Sequence, residues 1–406
     1  MIDQKAVAVL DRSGMYGRFE RNIKINYLYT ALMNLNLTRT IWMLFLSYRG
    51  MSLIEIGLIE SVYQLACLVF GMPAGAISDI LGRKVSLILG AIANILGFAL
   101  ILLSNDAIGF AAGFALNAIS YVLFNGSSES LTYDSCKLVK KNVSYKKVYG
   151  NLIAISFIAA AAGIAAGGFI ANVSFEYVYY ATLIVMVLAL IPAFMFIETR
   201  GVSSDGSVKK QGVVKLFKES IRIVRTTPVI LYLLVISATI TIVDITIYQY
   251  CQKYFQDMSI PVYLIGIIFC ADSIFAAIGA KFSYLLERFR TKDVLVLIPG
   301  VIVCSYILLA VTNNPLSVVF LYSGTIMAIC FWPILSELLN SRVPSENRAT
   351  VLAFKGQLSN LGIMVVFPIV GLLAERSSLT VAYLWLIASA VPLMAYAVIK
   401  IRKSVF

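Results

Sequence analysis

The sequence predicts an all-α polytopic membrane protein, with twelve transmembrane helices arranged as two pseudo-symmetric six-helix bundles. Three observations carry that expectation. Apolar residues fall into about twelve helix-length blocks bounded by short polar turns. Hydrophobic residues make up 60% of the 406-residue chain and charged residues 13%, outside the usual soluble range. Of 33 Lys and Arg, 28 lie at the termini and in alternate loops. In lipid every backbone amide must be satisfied within its own segment or in a closed barrel, so blocks of this length read as helices.

In chain order, residues 1–22 are polar and charged and read as a cytoplasmic terminus without a cleavable leader. The first span carries Asn36 and Arg39, and the second carries Glu60, Tyr63, Gln64 and Cys67. Arg39 and Glu60 stand at similar distances from the external turn near Gly50, so antiparallel neighbours bring them to similar depth as an ion pair. That pair reads either as structural or as a switch in which protonation of Glu60 releases Arg39. Val85–Leu103 forms the third span without a charged side chain. The fourth ends in Asn125–Ser135, with Glu129 about a turn deeper than Asp134. Gly150–Phe175 and Tyr177–Ile197, both uncharged, complete the first bundle over residues 23–197.

Residues 198–227 form a basic linker, and the second bundle follows over 228–400 before a short cytoplasmic end at 401–406. Ser237, Thr241, Asp244 and Tyr248 make one stripe on span seven, the kind of face expected along an aqueous cavity. Asp272 repeats the placement on span eight, and neither aspartate has an obvious basic partner. Val294–Val311 and Ser377–Ile399 are uncharged spans, while span eleven holds Lys355, expected to snorkel, together with Gly362, Pro368 and Gly371. A shift of 204 residues lays Gly75 and Ala76 on Gly279 and Ala280, and Gly167 on Gly371, as two related halves require.

The basic residues follow a positive-inside distribution, which places both termini in the cytoplasm of a plasma-membrane protein and makes the formal charge of +12 a topological signal rather than a nucleic-acid one. Six cysteines without paired spacing imply neither a disulfide framework nor a zinc site. Without any histidine, the chain lacks the usual metal ligand and general base, which argues against an enzyme.

Gly75-Ala76-Ile77-Ser78-Asp79-Ile80-Leu81-Gly82-Arg83-Lys84, after span two, resembles the signature loop of the major facilitator superfamily. The resemblance implies a cytoplasmic latch built on Gly75, Asp79, Gly82, Arg83 and Lys84, which Asp134 is near enough to join. Ile80 departs from the basic residue often found at its position. Gly163-Ile164-Ala165-Ala166-Gly167-Gly168 resembles the antiporter motif of drug exporters in the superfamily, with Ile164 in place of proline. Small residues at that spacing also simply let helices approach. Asn125–Ser135 resembles a segment of bacterial facilitator exporters, without the arginine of many proton–drug antiporters.

Taken with the resemblance, the residues imply a proton-coupled exporter of small amphipathic compounds working by alternating access. It is expected to act as a monomer in the bilayer, with no cofactor beyond the proton gradient. Buried charge is costly, so Asp244, Asp272, Glu60, Arg39 and Glu129 are the candidates for coupling or substrate contact. Asn36, Tyr63, Gln64, Thr241 and Tyr248 are the candidate cavity residues. A nutrient symporter is the alternative within the same class. A membrane enzyme or a non-transporting sensor or scaffold are alternatives of other classes.

Overall fold

The computed structural model describes residues 4–71, 77–78, 80–139, 143–199, 222, 224, 227–343 and 347–405. Among them are thirteen α-helices and a 3-10 turn, with no strand. In order they are α1 (Gln4–Asn34), α2 (Trp42–Tyr48), α3 (Leu53–Gly71), α4 (Arg83–Leu103), α5 (Ala107–Leu138), α6 (Tyr145–Ala171) and α7 (Phe175–Met195). Then follow α8 (Pro228–Asp257), α9 (Val262–Phe282), the 3-10 turn Ser283–Arg288, α10 (Thr291–Thr312), α11 (Ser317–Asn340), α12 (Arg348–Arg376) and α13 (Leu379–Val405).

Eleven of these helices are long and apolar enough to cross a bilayer. The twelfth span is the departure from expectation. Where the sequence reads as one continuous first span, α1 stops at Asn34 and α2 begins only at Trp42. Asn36 Oδ1 holds the intervening chain in a tight turn by accepting from the backbone amide (2.9 Å) and hydroxyl (2.7 Å) of Thr38. Such side-chain bonds offer the backbone an alternative to the helical ladder.

Elsewhere the ends of the helices follow local chemistry. Ser52 and Glu55 close a capping box at the start of α3, with the Glu55 carboxylate accepting from the Ser52 amide at 2.8 Å and the Glu55 amide donating to Ser52 Oγ at 3.3 Å. Asp106 caps α5 by accepting from the amide of Gly109 at 2.7 Å. Pro228 opens α8 at a position where its missing N–H costs nothing. Asn313 ends α10 with φ of 37°.

The chain divides into two compact units, residues 1–39 with 66–208 and residues 40–65 with 209–406. Residues 40–65, which the sequence places in the first bundle, therefore group with the second unit, and the division runs through α3. In the first unit, Ile25 and Tyr29 of α1, Leu87 and Ala91 of α4, Leu131 of α5, and Ala189, Ala193 and Phe196 at the end of α7 form a buried apolar core. Polar bonds pin α1 into it. Tyr29 donates to the Leu87 carbonyl at 2.8 Å, and Asn26 Nδ2 donates to Thr132 at 2.7 Å and Ser128 at 3.1 Å. Asn22 bridges residue 197 by donating to its carbonyl at 2.8 Å and accepting from its amide at 2.9 Å. Such bonds hold helices together where lipid supplies no hydrophobic drive.

In the second unit α8 is the central helix, packed against α2, α11, α12 and α13. Its tyrosines anchor it to backbone: Tyr250 donates to the Phe367 carbonyl at 2.9 Å and Tyr254 to the Leu309 carbonyl at 2.6 Å. Large apolar side chains such as Ile158, Ile184 and Val319 remain exposed along the spans, as a lipid-facing surface requires.

The two glycines related by the 204-residue shift do the same job, each in its own unit. A Cβ on Gly167 would overlap the Leu37 carbonyl oxygen, and one on Gly371 would overlap the Leu53 carbonyl oxygen. Gly163, a turn before Gly167, would carry its Cβ 3.0 Å from the Asn36 nitrogen and oxygen. The glycine motif of α6 is thus the seat for the interrupted first span.

Candidate functional site

The strongest concentration of buried polar chemistry lies within the second unit. Asp244, halfway along α8, accepts a hydrogen bond from the phenol of Tyr306 on α10. Asp272 on α9 is only 2% exposed, within electrostatic range of Asp244, and its Oδ1 has no hydrogen-bond partner among the described residues. Thr325 on α11 sits beside Asp272, buried, with its own hydroxyl outside hydrogen-bond geometry. Gly324 next to it gives room for the Tyr306 ring, since a Cβ there would lie 2.6 Å from Tyr306 Cζ. A further hydroxyl pair, Ser323 to Ser305 at 2.7 Å, extends the polar region between α11 and α10. Four helices thus bring two acids, a phenol and a threonine hydroxyl together.

Among the described residues neither carboxylate has an ion pair, and keeping one buried and one half-buried acid charged side by side is costly, a cost that a proton on one of them would relieve. The cluster is therefore chemically equipped to take up and release protons. Of the neighbours on α8, Thr241 turns its hydroxyl back to the Ser237 carbonyl at 2.9 Å, and Tyr248 packs edge-on to Phe269 with centroids 4.6 Å apart. Tyr306 and Thr325 escaped the sequence reading because each is uncharged on an apolar span, and only the packing of α8 to α11 sets them beside the acids.

Glu60, also in the second unit and buried, accepts from Gln64 Nε2 at 2.7 Å, one turn along α3. Tyr63 is half-buried on the same helix. Ser61 donates to the Met364 carbonyl at 2.7 Å, and a Cβ on Gly57 would lie 2.6 Å from Pro368 Cα, so α3 runs close against α12. Arg39 belongs to the first unit, where it is exposed and within electrostatic range of Tyr121. Lys355 places its Nζ 3.2 Å from the centroid of the Trp332 ring.

The second concentration is at the end of the first unit that carries Arg83. Gly75 and Asp79 lie outside the described residues. Gly82 adopts φ of 95°, a conformation that favours glycine, and turns the chain into α4. Arg83 pairs with Asp134 of α5 and also donates to the Ser130 carbonyl. Thr199 adds a bond to Asp134 at 3.4 Å. The sequence reading missed Glu198, whose carboxylate accepts from the amides of Arg83 (3.2 Å) and Lys84 (3.0 Å) and so caps α4. An acid directly after the charge-free sixth span was the available signal. Glu129 lies exposed on α5, where Tyr145 of α6 donates to it at 3.3 Å. Gly168 is buried beside Gly167, and its carbonyl accepts from the Asn172 amide at 3.3 Å to close α6.

Comparison with known proteins agrees with this architecture. The Major Facilitator Superfamily profile matches residues 26–367. An uncharacterized MFS-type transporter of Bacillus subtilis (strain 168), YxaM, is 22% identical over 394 residues, covering 94% of this chain and 97% of that one. A mutant form of the nucleoside transporter NupG superposes with a TM-score of 0.79 at 12% identity, covering 93% of this chain and 99% of that one. A bacterial homologue of the human lysosomal transporter Spinster, inward-facing and unoccupied, gives 0.72 at 14% identity, covering 96% and 97%. With its two units of membrane-length helices and a profile match over most of its length, the chain belongs to the major facilitator superfamily of secondary transporters.

Proposed function

We propose that this multi-pass membrane transporter is a proton-coupled exporter of small amphipathic compounds, working by alternating access in the plasma membrane with both termini cytoplasmic. The single observation that carries the coupling is the Asp244–Tyr306–Asp272–Thr325 cluster, in which a half-buried and a buried acid lie within electrostatic range of each other, with no ion pair to either among the described residues. Protonation of the cluster favours one access state and deprotonation the other, because a buried carboxylate gains only where a donor or water reaches it. Small molecules are the substrates, the gradient is the energy source without a cofactor, and one chain is the working unit. Acids outnumber bases among the charged groups of the spans, which tilts the substrate toward cationic or neutral molecules.

Everted vesicles with an imposed pH gradient test this reading, using a panel of lipophilic cations and antibiotics. The expected outcome is compound-dependent collapse of the gradient with the native chain and none with Asp244→Asn. Equal collapse with both proteins removes Asp244 from the coupling path. Uptake of a compound into intact cells, with no response in the vesicles, replaces export with import.

A further inference from the structure

Tyr121, Asn125, Glu129 and Tyr133 recur every fourth residue on α5 and so share one face, and all four are exposed. Across from that face stand Tyr145 and Tyr149, one turn apart on α6. Tyr145 donates to Glu129 Oε1 at 3.3 Å. The Tyr133 ring meets Tyr145 edge-on with centroids 5.3 Å apart, and Tyr149 stacks on Tyr145 at 5.5 Å and 22°. Tyr149 is itself within electrostatic range of Glu129. The Tyr145 phenol thus meets the Glu129 carboxylate, with the Tyr133 and Tyr149 rings packed against Tyr145.

Neither hydrocarbon nor a simple interfacial belt accounts for this grouping. An exposed carboxylate on a membrane-length helix faces an aqueous cavity or the membrane surface rather than hydrocarbon. Belt tyrosines serve by presenting separate hydroxyls to headgroups, whereas here the rings are turned onto each other around an acid. Among the described residues, Lys137 lies two turns beyond Glu129 on α5, and Lys146 and Lys147 follow Tyr145 on α6.

We propose that Glu129 with Tyr133, Tyr145 and Tyr149 forms a substrate subsite for an organic ammonium group. The proposal rests on the reading of the chain as a transporter of small amphipathic compounds and names their class. A carboxylate supplies the opposite charge, and aromatic faces attract a cation that gives up its water easily, as alkylated ammonium does. A hard metal ion asks for more charged or carbonyl oxygens than one acid and its phenols provide. A neutral molecule leaves Glu129 without a counter-charge, and an anion is repelled by it.

Equilibrium dialysis of the full chain in detergent tests this, with radiolabelled benzyltrimethylammonium, phenethylammonium and tetraethylammonium as probes and neutral neopentylbenzene as an uncharged isostere. At least one ammonium is expected to bind saturably, with no competition from the isostere. Glu129→Gln and Tyr145→Ala should each weaken binding about tenfold or more, whereas Tyr145→Phe, which keeps the ring, should cost about threefold or less. The proposal is overturned if no ammonium binds saturably, if the isostere competes equally, or if Glu129→Gln binds like the native chain. Saturable ammonium binding without proton release in vesicles leaves the subsite standing while the coupling reading fails. Compound-driven proton release unchanged by Glu129→Gln does the reverse.

Discussion

Substituting the glycines of α6 by alanine tests whether the motif exists to seat the interrupted first span. At Gly167 a new methyl overlaps the Leu37 carbonyl oxygen, and at Gly163 it lies 3.0 Å from the Asn36 nitrogen and oxygen. At Gly150 on the same helix it meets nothing within 4 Å. Alanine gains about 1 kcal/mol over glycine in a helix interior at all three positions. Overpacking costs about 1–3 kcal/mol. Gly167 belongs at the upper end, because the obstacle is backbone with no rotamer to adopt. The net is therefore about 2 kcal/mol of destabilisation for Gly167→Ala, close to zero for Gly163→Ala, and about 1 kcal/mol of stabilisation for Gly150→Ala.

For a unit of this size each kcal/mol moves the midpoint by roughly 2–4 °C. Thermal unfolding of the purified chain can be followed with a thiol-reactive dye, since Cys67, Cys251 and Cys330 are buried and report opening. Gly167→Ala should fall by roughly 4–8 °C and Gly150→Ala rise by roughly 2–4 °C. Truncating Leu37 to alanine should not rescue Gly167→Ala, because the clash is with the carbonyl rather than the side chain. A Gly167→Ala midpoint at or above the native one, or rescue by Leu37→Ala, would refute the seat.

Two further predictions concern the Arg83 end of the first unit. Arg83→Gln and Asp134→Asn should each slow compound-driven proton release, and a double-mutant cycle should give a coupling of about 1–2 kcal/mol, above the roughly 0.3–0.5 kcal/mol scatter of independent sites. The pair is mostly buried, at 19% and 8% exposure, which is why it should exceed an exposed ion pair; strict additivity would show that the two act separately. Glu198→Ala should cost about 1 kcal/mol by uncapping α4, seen as a lower thermal midpoint, and Glu198→Gln should lose less because it still accepts from the two amides; equal losses would assign the effect to charge alone.

Much of the site was legible because charge inside a membrane is rare. Asp244, Asp272 and Glu60 stood out as acids on apolar spans, and Asp134 and Arg83 stood out by their place at span ends. Their partners did not. Tyr306 and Thr325 are ordinary residues for a membrane helix, and Glu198 looked like the first residue of a polar linker. Gln64 was legible as a partner of Glu60 because i and i+4 share a helix face, so that bond needs only local geometry.

Apolar length alone was enough to give the fold class and the boundaries of most helices, because lipid obliges every backbone group to pair within its own segment. It did not reveal the interruption between Asn34 and Trp42, a stretch with neither glycine nor proline. The Asn36–Thr38 turn is local, but room for the unwound chain comes from packing, where glycines about 130 residues further on let it approach. It was also packing that joined Asp244 to Tyr306 and brought Tyr145 and Tyr149 of α6 to Glu129 and Tyr133 of α5. Periodicity reports which face a side chain occupies, and only the meeting of faces from separate helices decides what chemistry stands there.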